Sequence, residues 1–288
     1  MLRLEKSIVI RKTWRRDLSA ITEIYNSAKE ELGKEDSYWF NAVLKSRSRR
    51  IVFLVAEVND KVVGFILAYR NKDRAYIENI AVHENYRNMG IGRILIAEAE
   101  KHLFKHGAKS IYLSVKNWNM KALNFYIRQG YGIRGIVFLM KAKPSEIIVD
   151  NVSDAYMVTD VNASKIKTRI SKPLANWSNL VDEVDKFIYR KLYRDERALV
   201  VKKNRGIKAL VTYSVNDDLV VDSIMLSSYS AIEALETALT ALKNLAVFYN
   251  ASGIEIPVDA SKKKLVMFLE KIGFKVNEVE YLLQKELS

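Results

Sequence analysis

The chain has 288 residues, of which 49% are hydrophobic, and this is enough for two domains that each bury an apolar core. It contains no cysteine, which excludes disulfides, thiolate metal sites and a cysteine nucleophile. No apolar run approaches the length of a membrane span and no signal peptide opens the chain. We therefore expect a cytoplasmic protein without a membrane partner.

The net charge of +13 is unevenly placed along the chain. Residues 1–145 hold 27 Lys and Arg against 14 Asp and Glu, whereas residues 146–288 hold 20 against 20. The whole positive excess lies in the first half, which would attract a phosphate-bearing ligand, nucleic acid or an acidic protein. A solvated basic face explains the same charge equally well.

The first half alternates between strand and helix patterns. Asn59-Asp60 has the composition of a hairpin turn, Asp17 is a plausible helix cap and Gly130 a left-handed helix end. The patterns predict strands at 7–11, 51–57, 62–69, 76–82, 110–115 and 137–141, and helices at 17–29, 36–45, 91–105 and 120–129. Pro144-Ser145 is interpreted as the start of a linker.

A turn with two glycines joins the predicted strand 76–82 to the helix that follows. It reads Arg87-Asn88-Met89-Gly90-Ile91-Gly92-Arg93, so its backbone N–H groups lie where a helix begins. Such groups lack intrahelical partners and the helix dipole favours an anion there, which predicts a phosphate site. The alternative is an ordinary tight strand-to-helix turn.

A second motif lies downstream and reads Trp118-Asn119-Met120-Lys121-Ala122-Leu123-Asn124-Phe125-Tyr126, continuing to Gly130-Tyr131. Together the two motifs resemble the GNAT superfamily of acyl-CoA N-acyltransferases over residues 6–143. The local likeness is to spermidine/spermine-type acetyltransferases and to ribosomal-protein alanine acetyltransferases. The latter carry Glu where this chain has Ser114, so that likeness is incomplete.

The resemblance implies an α/β (α+β sandwich) fold with a mixed central sheet flanked by helices, and acetyl-CoA as co-substrate without a metal. It implies Tyr126 as the acid that protonates the departing thiolate, although a core aromatic would also fit its position. Asn119 would bond the pantetheine arm or only cap its helix, and the backbone of Ala81 and Val82 would pair with pantetheine. The residues expected to bind the cofactor are Ala81, Val82, Arg87, Asn88, Met89, Gly90, Ile91, Gly92, Arg93, Asn119 and Phe125.

Glu78 is the candidate general base. An amine must be neutral to attack a thioester, yet a Lys-like amine has a pKa of about 10.4 and is mostly protonated at neutral pH. A carboxylate near the attack site can take the proton directly or through water. Glu78 lies mid-strand, on the same face as Tyr76 and Ile80, in the strand leading to the phosphate turn. A surface or salt-bridged strand glutamate is the alternative.

Two further groups of side chains are candidate sites. Trp14, Tyr38, Trp39 and Phe40 could line the acceptor pocket, because the first two helices border that pocket in the family, but such aromatics are more often core. His102 and His106 have the helical spacing of two zinc ligands, yet no third ligand is near in sequence. We therefore expect no metal site.

The second half repeats the pattern of the first. At an offset of 143, Phe125 falls on Phe268 and Gly130 on Gly273, and residues 198–214 mirror the hairpin at 53–69. This predicts a tandem GNAT, with a catalytic domain at 1–145 and a degenerate copy at 146–288. In the second copy Leu269 matches Tyr126, and the glycine turn is replaced by 228–233.

The sequence thus predicts an acetyl-CoA-dependent N-acetyltransferase acting on a primary amine, either a small molecule or a protein N-terminus or lysine. Polyamines fit the local likeness, but a domain of charge +13 would repel polycations unless its pocket were acidic. The alternative is a non-catalytic module that senses acyl-CoA or binds nucleic acid through the basic half. Retention of both Glu78 and Tyr126 favours the enzyme, and the oligomeric state is left open.

Overall fold

The computed structural model describes residues 8–32, 37–46, 48–149, 155–162, 166, 172–176 and 197–288. It divides into two compact units: Met1–Ile133 with Leu283–Ser288, and Arg134–Leu282. These differ from the predicted division at residue 145, because residues 134–145 fall in the second unit and residues 283–288 in the first. Within the part of the chain that the structure describes, no helix is long and apolar enough to cross a membrane.

The first unit is built on a mixed sheet with helices beside it. Its strands are β1 (Ile8–Lys12), β2 (Ile51–Val58), β3 (Lys61–Asn71), β4 (Arg74–Val82) and β5 (Ser110–Lys116), and its helices are α1 (Leu18–Asn26), α2 (Lys29–Leu32), α3 (Ser37–Ser46), α4 (Ile91–Lys105) and α5 (Met120–Arg128). β1 to β4 pair antiparallel in chain order, and β4 pairs parallel with β5. The strands and helices predicted for this half are observed, except that the single helix predicted at 17–29 is divided into α1 and the short α2, which extends past the predicted end.

The second unit repeats this order. Its elements are β6 (Gly132–Ala142), β7 (Tyr156–Asn162), β8 (Lys172–Asn176), β9 (Arg197–Lys203), β10 (Gly206–Val215), β11 (Leu219–Leu226), α6 (Ile232–Phe248), β12 (Ile254–Asp259), α7 (Lys263–Lys271) and β13 (Lys275–Glu286). The first two residues of β6 and the end of β13 from Leu283 onward belong to the first unit. The sheet runs β7-β9-β10-β11-β12-β6, with β11 and β12 parallel, as β4 and β5 are. The tandem of two α/β copies is therefore observed.

Local sequence explains several turns. Asn59 and Asp60 both have positive φ, 49° and 60°, as the hairpin between β2 and β3 requires, and Gly130 ends α5 with φ of 89°. Residues 144–145 do not begin a linker. They lie in a short 3-10 helix, Pro144–Glu146, and the next residue, Ile147, is buried in the core of the second unit.

The helix cap predicted at Asp17 is wrong. Its carboxylate makes no cap to α1 and instead accepts two hydrogen bonds from Arg11, at 2.7 and 3.0 Å, and one from the Trp14 backbone at 2.7 Å. Burial would raise the pKa of Asp17, but these hydrogen bonds outweigh it and leave that pKa below its ordinary value. Asp17 thus anchors β1 to the chain entering α1.

Candidate active site

Strand β4 carries a bulge at Glu78. Leu67 of β3 lies opposite Asn79, but the next residue, Ala68, lies opposite Ile77, so Glu78 is one extra residue in β4. A bulge bends the strand and re-aims the side chain it carries. Glu78 is half-buried and shares its partial exposure with its neighbours Tyr76 and Ile80, whereas Ile77 and Asn79 are buried. The predicted base therefore lies at an irregularity of the sheet.

Strands β4 and β5 separate beyond the bulge. Their parallel pairing covers only Arg74–Tyr76 against Ser110–Tyr112. The later part of β4 remains paired with β3 on its other edge, where Phe65 lies opposite Ala81 and Gly64 opposite Val82. The edge of β4 turned toward β5 therefore keeps backbone groups for the amides of an extended ligand.

The turn after β4 has the geometry of an anion site. Asn88 and Gly90 have positive φ, 63° and 80°, and Gly90 is the residue before α4. The first helical hydrogen bond runs from the Ile94 N–H to the Gly90 oxygen at 3.1 Å. The N–H groups at the start of α4 are thus directed out of the helix end, where the dipole favours a phosphate.

The structure brings four of the predicted cofactor residues together. Arg87 donates from Nε to the Val82 oxygen at 3.0 Å, so the turn is held against the end of β4. A Cβ atom at Gly92 would lie 3.3 Å from Cζ of Phe125 and 3.9 Å from Cγ2 of Val82. Glycine therefore lets the start of α4 approach α5 closely. Met89 and Arg93 are exposed at the rim, whereas Ile91 is buried.

Helix α5 supplies Tyr126 and Asn119. Tyr126 is 7% exposed, and burial raises the pKa of its phenol, so the hydroxyl stays protonated well above neutral pH. Its ring contacts Phe125 edge-on at 5.2 Å between centroids. Asn119 caps α5, its side-chain oxygen accepting from the Ala122 N–H at 3.0 Å. A contact with pantetheine would therefore fall to its Nδ2 group.

Sequence reasoning missed a set of polar side chains around Tyr131. The Tyr131 hydroxyl donates to Oε1 of Glu100 at 2.8 Å, and Lys285 donates to Oε2 of the same carboxylate at 2.7 Å. Glu100 and Lys285 are 185 residues apart, so no local pattern could connect them. The contact follows instead from the place of residues 283–288 in the first unit of the structure.

The aromatic side chains near α1 and α3 divide between core and surface. Trp39 and Phe40 are 1% and 0% exposed, and Phe40 packs edge-on against Tyr25 at 5.4 Å, so the core interpretation holds for both. Trp14 is 48% exposed, with Arg11 and Arg16 over its ring at 4.3 and 4.1 Å. The Tyr38 side chain lies outside the described residues.

A shallow, open depression lies beside α1 and α3. Its volume is about 410 Å³, and its lining is largely polar: Arg15, Leu18, Ser19, Thr22 and Asn41. The side-chain oxygen of Asn41 is buried, and among the described residues it has no hydrogen-bond partner. An acceptor oxygen left in this state suits a ligand that donates a hydrogen bond.

His102 of α4 and His106, the residue that follows this helix, stack on each other. The His102 and His106 rings lie 4.3 Å apart, and the pKa of His102 is lowered by burial and by the neighbouring His106. Nδ1 of His106 lies 2.7 Å from the His102 backbone oxygen. Over the described ranges, no three potential ligands come together as a metal site would need.

The second unit keeps the bulge but not the open edge. In β11, Thr212 lies opposite Ser223 and Tyr213 opposite Val221, so Asp222 is the extra residue, as Glu78 is in β4. β11 pairs with β12 only at Leu219 and Val220. Beyond the bulge, residues 223–226 pair antiparallel with β8 instead. A strand of the chain itself thus occupies the position that stays open beside β4.

The start of α6 also differs from the start of α4. In place of the glycine turn, the Ser228 and Ser230 hydroxyls bond each other at 2.8 Å. Glu233 lies in the first turn of α6, where its carboxylate accepts from the Tyr156 hydroxyl at 3.1 Å and lies 3.6 Å from Lys203. A carboxylate at this helix end opposes a phosphate rather than attracting it.

Comparisons with known proteins agree with this geometry. The model of the "Acetyltransferase (GNAT) family" matches residues 18–131. An uncharacterized N-acetyltransferase of Methanocaldococcus jannaschii is 32% identical over 132 residues, covering 45% of this chain and 81% of that protein. An L-ornithine N5-acetyltransferase of Arabidopsis thaliana is 38% identical over 85 residues, covering 27% of this chain and 37% of that protein. An acetyltransferase of Sodalis glossinidius is 35% identical over 89 residues, covering 31% of this chain and 63% of that protein.

Solved structures share the tandem fold. A tandem GNAT protein from the clavulanic acid biosynthesis pathway superposes with a TM-score of 0.72 at 12% identity, covering 98% of both chains. A GCN5-related N-acetyltransferase from Sphaerobacter thermophilus gives 0.69 at 13% identity, covering 97% of this chain and 96% of that one. With the sequence matches, these findings establish that the chain is a member of the GNAT acetyltransferase family, with two GNAT copies in tandem.

Proposed function

We propose that the first unit transfers the acetyl group of acetyl-CoA directly to a primary amine, and that the second unit has no active site. The observation that carries the proposal is the bulge at Glu78. It lies in a strand that has an open edge toward its parallel neighbour and that ends in a glycine turn. No other described strand combines an acidic bulge, an open edge and this turn.

Glu78 would act as the base. The amine nitrogen attacks the thioester carbon, the C–N bond forms as the C–S bond breaks, and the nitrogen gives up one proton. Glu78 takes that proton directly or through water, and a well-placed base of this kind contributes about 10²–10⁴ in rate. The bulge supports this role because it shifts the register of β4 at Glu78 and re-aims the side chain carried there.

Tyr126 would act on the departing sulfur. Its phenol is buried and its pKa is raised by burial, so it remains an O–H donor at neutral pH. A raised pKa also weakens the acid, so the hydrogen bond that grows as charge develops on sulfur is the main stabilisation. Proton transfer to the thiolate then completes the step, and the proton that Glu78 took from the amine returns to the phenolate through water, which restores both residues.

The coenzyme would lie along β4 and end at the start of α4. The backbone of Ala81 and Val82 would pair with the pantetheine amides. The pyrophosphate would be held by the turn, with charge from the basic residues at its two ends. The contributing residues are Arg87, Asn88, Met89, Gly90, Ile91, Gly92 and Arg93, with Asn119 and Phe125 from α5 beside them.

The depression beside α1 and α3 favours an amine that also carries a carboxylate. Arg15 on its lining would repel a polyamine and attract a carboxylate, while the buried Asn41 oxygen would accept from the ammonium of an amino acid. The Arabidopsis relative is named for ornithine, an amine of this class. A peptide N-terminus or a protein lysine is the competing acceptor.

A coupled assay of free thiol with an amine panel tests the proposal. Acetyl-CoA should yield thiol with ornithine or lysine faster than with spermidine or with a peptide N-terminus. Absence of thiol release with every amine, together with salt-sensitive retention on DNA, would favour a nucleic-acid-binding module instead. Binding of acetyl-CoA without turnover would favour an acyl-CoA sensor.

A further inference from the structure

The first unit includes a segment that is distant in sequence. Residues Leu283–Ser288 belong to this unit, and the Leu287 N–H donates to the Lys109 oxygen at 2.8 Å. The same segment carries Lys285, whose ammonium reaches Glu100 of α4 at 2.7 Å. We propose that Lys285 is a positioning residue for acetyl transfer, acting through Glu100 and Tyr131 on Tyr126. The inference rests on the function proposed above.

The chain of contacts begins with a carboxylate shared by two donors. The Tyr131 hydroxyl donates a hydrogen bond to one oxygen of Glu100, and the Lys285 ammonium donates to the other. The side chain of Glu100 is 13% exposed and that of Lys285 26%, so neither charge is fully hydrated. A carboxylate this buried needs compensation, and Lys285 supplies it.

Tyr131 in turn contacts Tyr126 in two ways. Their rings meet edge-on, with centroids 5.7 Å apart and planes at 70°. The Tyr131 N–H also donates to the Tyr126 backbone oxygen at 3.1 Å. Because Tyr131 is 3% exposed and its hydroxyl is fixed by Glu100, its ring cannot move without breaking that hydrogen bond. Tyr131 therefore fixes the orientation of the Tyr126 ring.

Lys285 contacts this cluster with its stem as well as its charge. Its Nζ lies 5.6 Å from the centroid of the Tyr131 ring. A Cβ atom at Gly130 would lie 3.6 Å from Cε of Lys285, so the lysine runs alongside the end of α5. Arginine could keep the charge at this place, whereas methionine would keep the stem and lose the charge.

The second unit lacks the whole set. At the offset of 143 that relates the copies, Phe274 stands for Tyr131, Lys243 for Glu100 and Ala142 for Lys285. Lys243 instead donates to the Ile147 backbone oxygen at 2.7 Å. Both units close the same helix in the same way, since the Phe274 N–H donates to the Leu269 oxygen as Tyr131 does to Tyr126. Glu100, Tyr131 and Lys285 therefore occur in the copy that has Tyr126, and the fold of the second copy does not require them.

The test compares Lys285→Met, Lys285→Arg and the control Lys275→Met, an exposed lysine of β13. We expect Lys285→Met to lower kcat by about 10- to 100-fold, the cost of a slightly misplaced catalytic group, with the Kd of coenzyme A unchanged. Lys285→Arg should restore most of kcat, and Lys275→Met should match the wild type. Tyr131→Phe removes only the hydroxyl and should lower kcat as Lys285→Met does. It replaces Lys285→Met in the test if that variant does not fold.

The decisive measurement is made in the Tyr126→Phe background. If Lys285 acts through Tyr126, Lys285→Met should lower kcat no further there, because the group that it positions is absent. An equal loss in both backgrounds, or wild-type kcat in Lys285→Met and Tyr131→Phe, would overturn the inference while leaving the proposed function intact. A wild-type protein that acetylates no amine would overturn the proposed function, and the inference with it.

Discussion

The two copies keep the same bulge and differ in what lies beside it. In the first, Glu78 is the extra residue of β4, and the edge of β4 beyond it is open toward β5. In the second, Asp222 is the extra residue of β11, and β8 pairs with the edge beyond it. The bulge is thus a property of the fold, whereas the open edge and the glycine turn distinguish the copy with the proposed active site.

The helix that follows each bulged strand also differs between the two copies. Glycine and positive φ leave N–H groups available at the start of α4. Serine hydroxyls and the Glu233 carboxylate fill the corresponding place at α6. An acidic residue on a strand is therefore weak evidence for catalysis by itself. The evidence becomes stronger when the adjacent strand edge is open and the next helix begins with available N–H groups.

The largest expected effect separates the two acids. Glu78→Gln should lower kcat/KM by about 10²–10⁴, because the amine loses its proton acceptor, while Asp222→Asn should leave kcat/KM within about twofold of the wild type. Thiol release at saturating acetyl-CoA measures both. Similar losses in the two variants would show that the second unit is catalytic, and wild-type rate in Glu78→Gln would remove Glu78 from the mechanism.

The next effect concerns coenzyme binding. Calorimetry should find one molecule of coenzyme A per chain, and Arg87→Gln should weaken it about tenfold, whereas Arg205→Gln in the second unit should not. At a ligand concentration of 100 times the wild-type Kd, stabilisation of the fold should fall from about 2.7 to about 1.4 kcal/mol in Arg87→Gln. A stoichiometry of two would contradict the comparison.

Backbone exchange should show the filled and open edges directly. Amides at 79–82 should gain protection from hydrogen exchange when acetyl-CoA is added, because the ligand would pair with the open edge of β4. Amides at 223–226 should be protected already and should not change, since β8 pairs with them. Equal exchange at the two edges without ligand would mean that β8 does not hold its place in solution.

The smallest effect is expected in the pH profile. Because burial raises the pKa of Tyr126, the phenol should stay protonated as pH rises, and activity should show no alkaline decline from this group up to about pH 10. The measurement is kcat against pH for the wild type and for Tyr126→Phe. A decline centred near pH 9 that is absent in Tyr126→Phe would show that the tyrosine is not shielded as the structure has it.

Local sequence was sufficient for much of the first unit. The helix predicted at 91–105 is observed with those bounds, and the turns at Asn59-Asp60 and Gly130 have the predicted positive φ. Asp17 shows where such reasoning fails: its carboxylate is drawn away from the helix by Arg11, which a cap pattern does not include. Tertiary partners outweigh local preference when a charged side chain is buried.

The two motifs of the candidate site can be recognised in the sequence, but their surroundings cannot. The structure adds the close approach of Gly92 to Phe125, and the binding roles of these residues stay predictions. The pairing of β8 with β11 and the contact of Lys285 with Glu100 depend on residues far apart along the chain. No periodicity or spacing encodes such pairs, because they are set by which strand edges meet in the fold.

The place of residues 283–288 in the first unit has a consequence for synthesis. Residues 134–282 are made between the two parts of that unit, and at about 5–20 residues per second a ribosome needs on the order of 10 s for them. During this time Glu100 has no Lys285 partner, and of the two donors only the Tyr131 hydroxyl has been synthesised. The contact between Lys285 and Glu100 can therefore form only after the second copy has been translated.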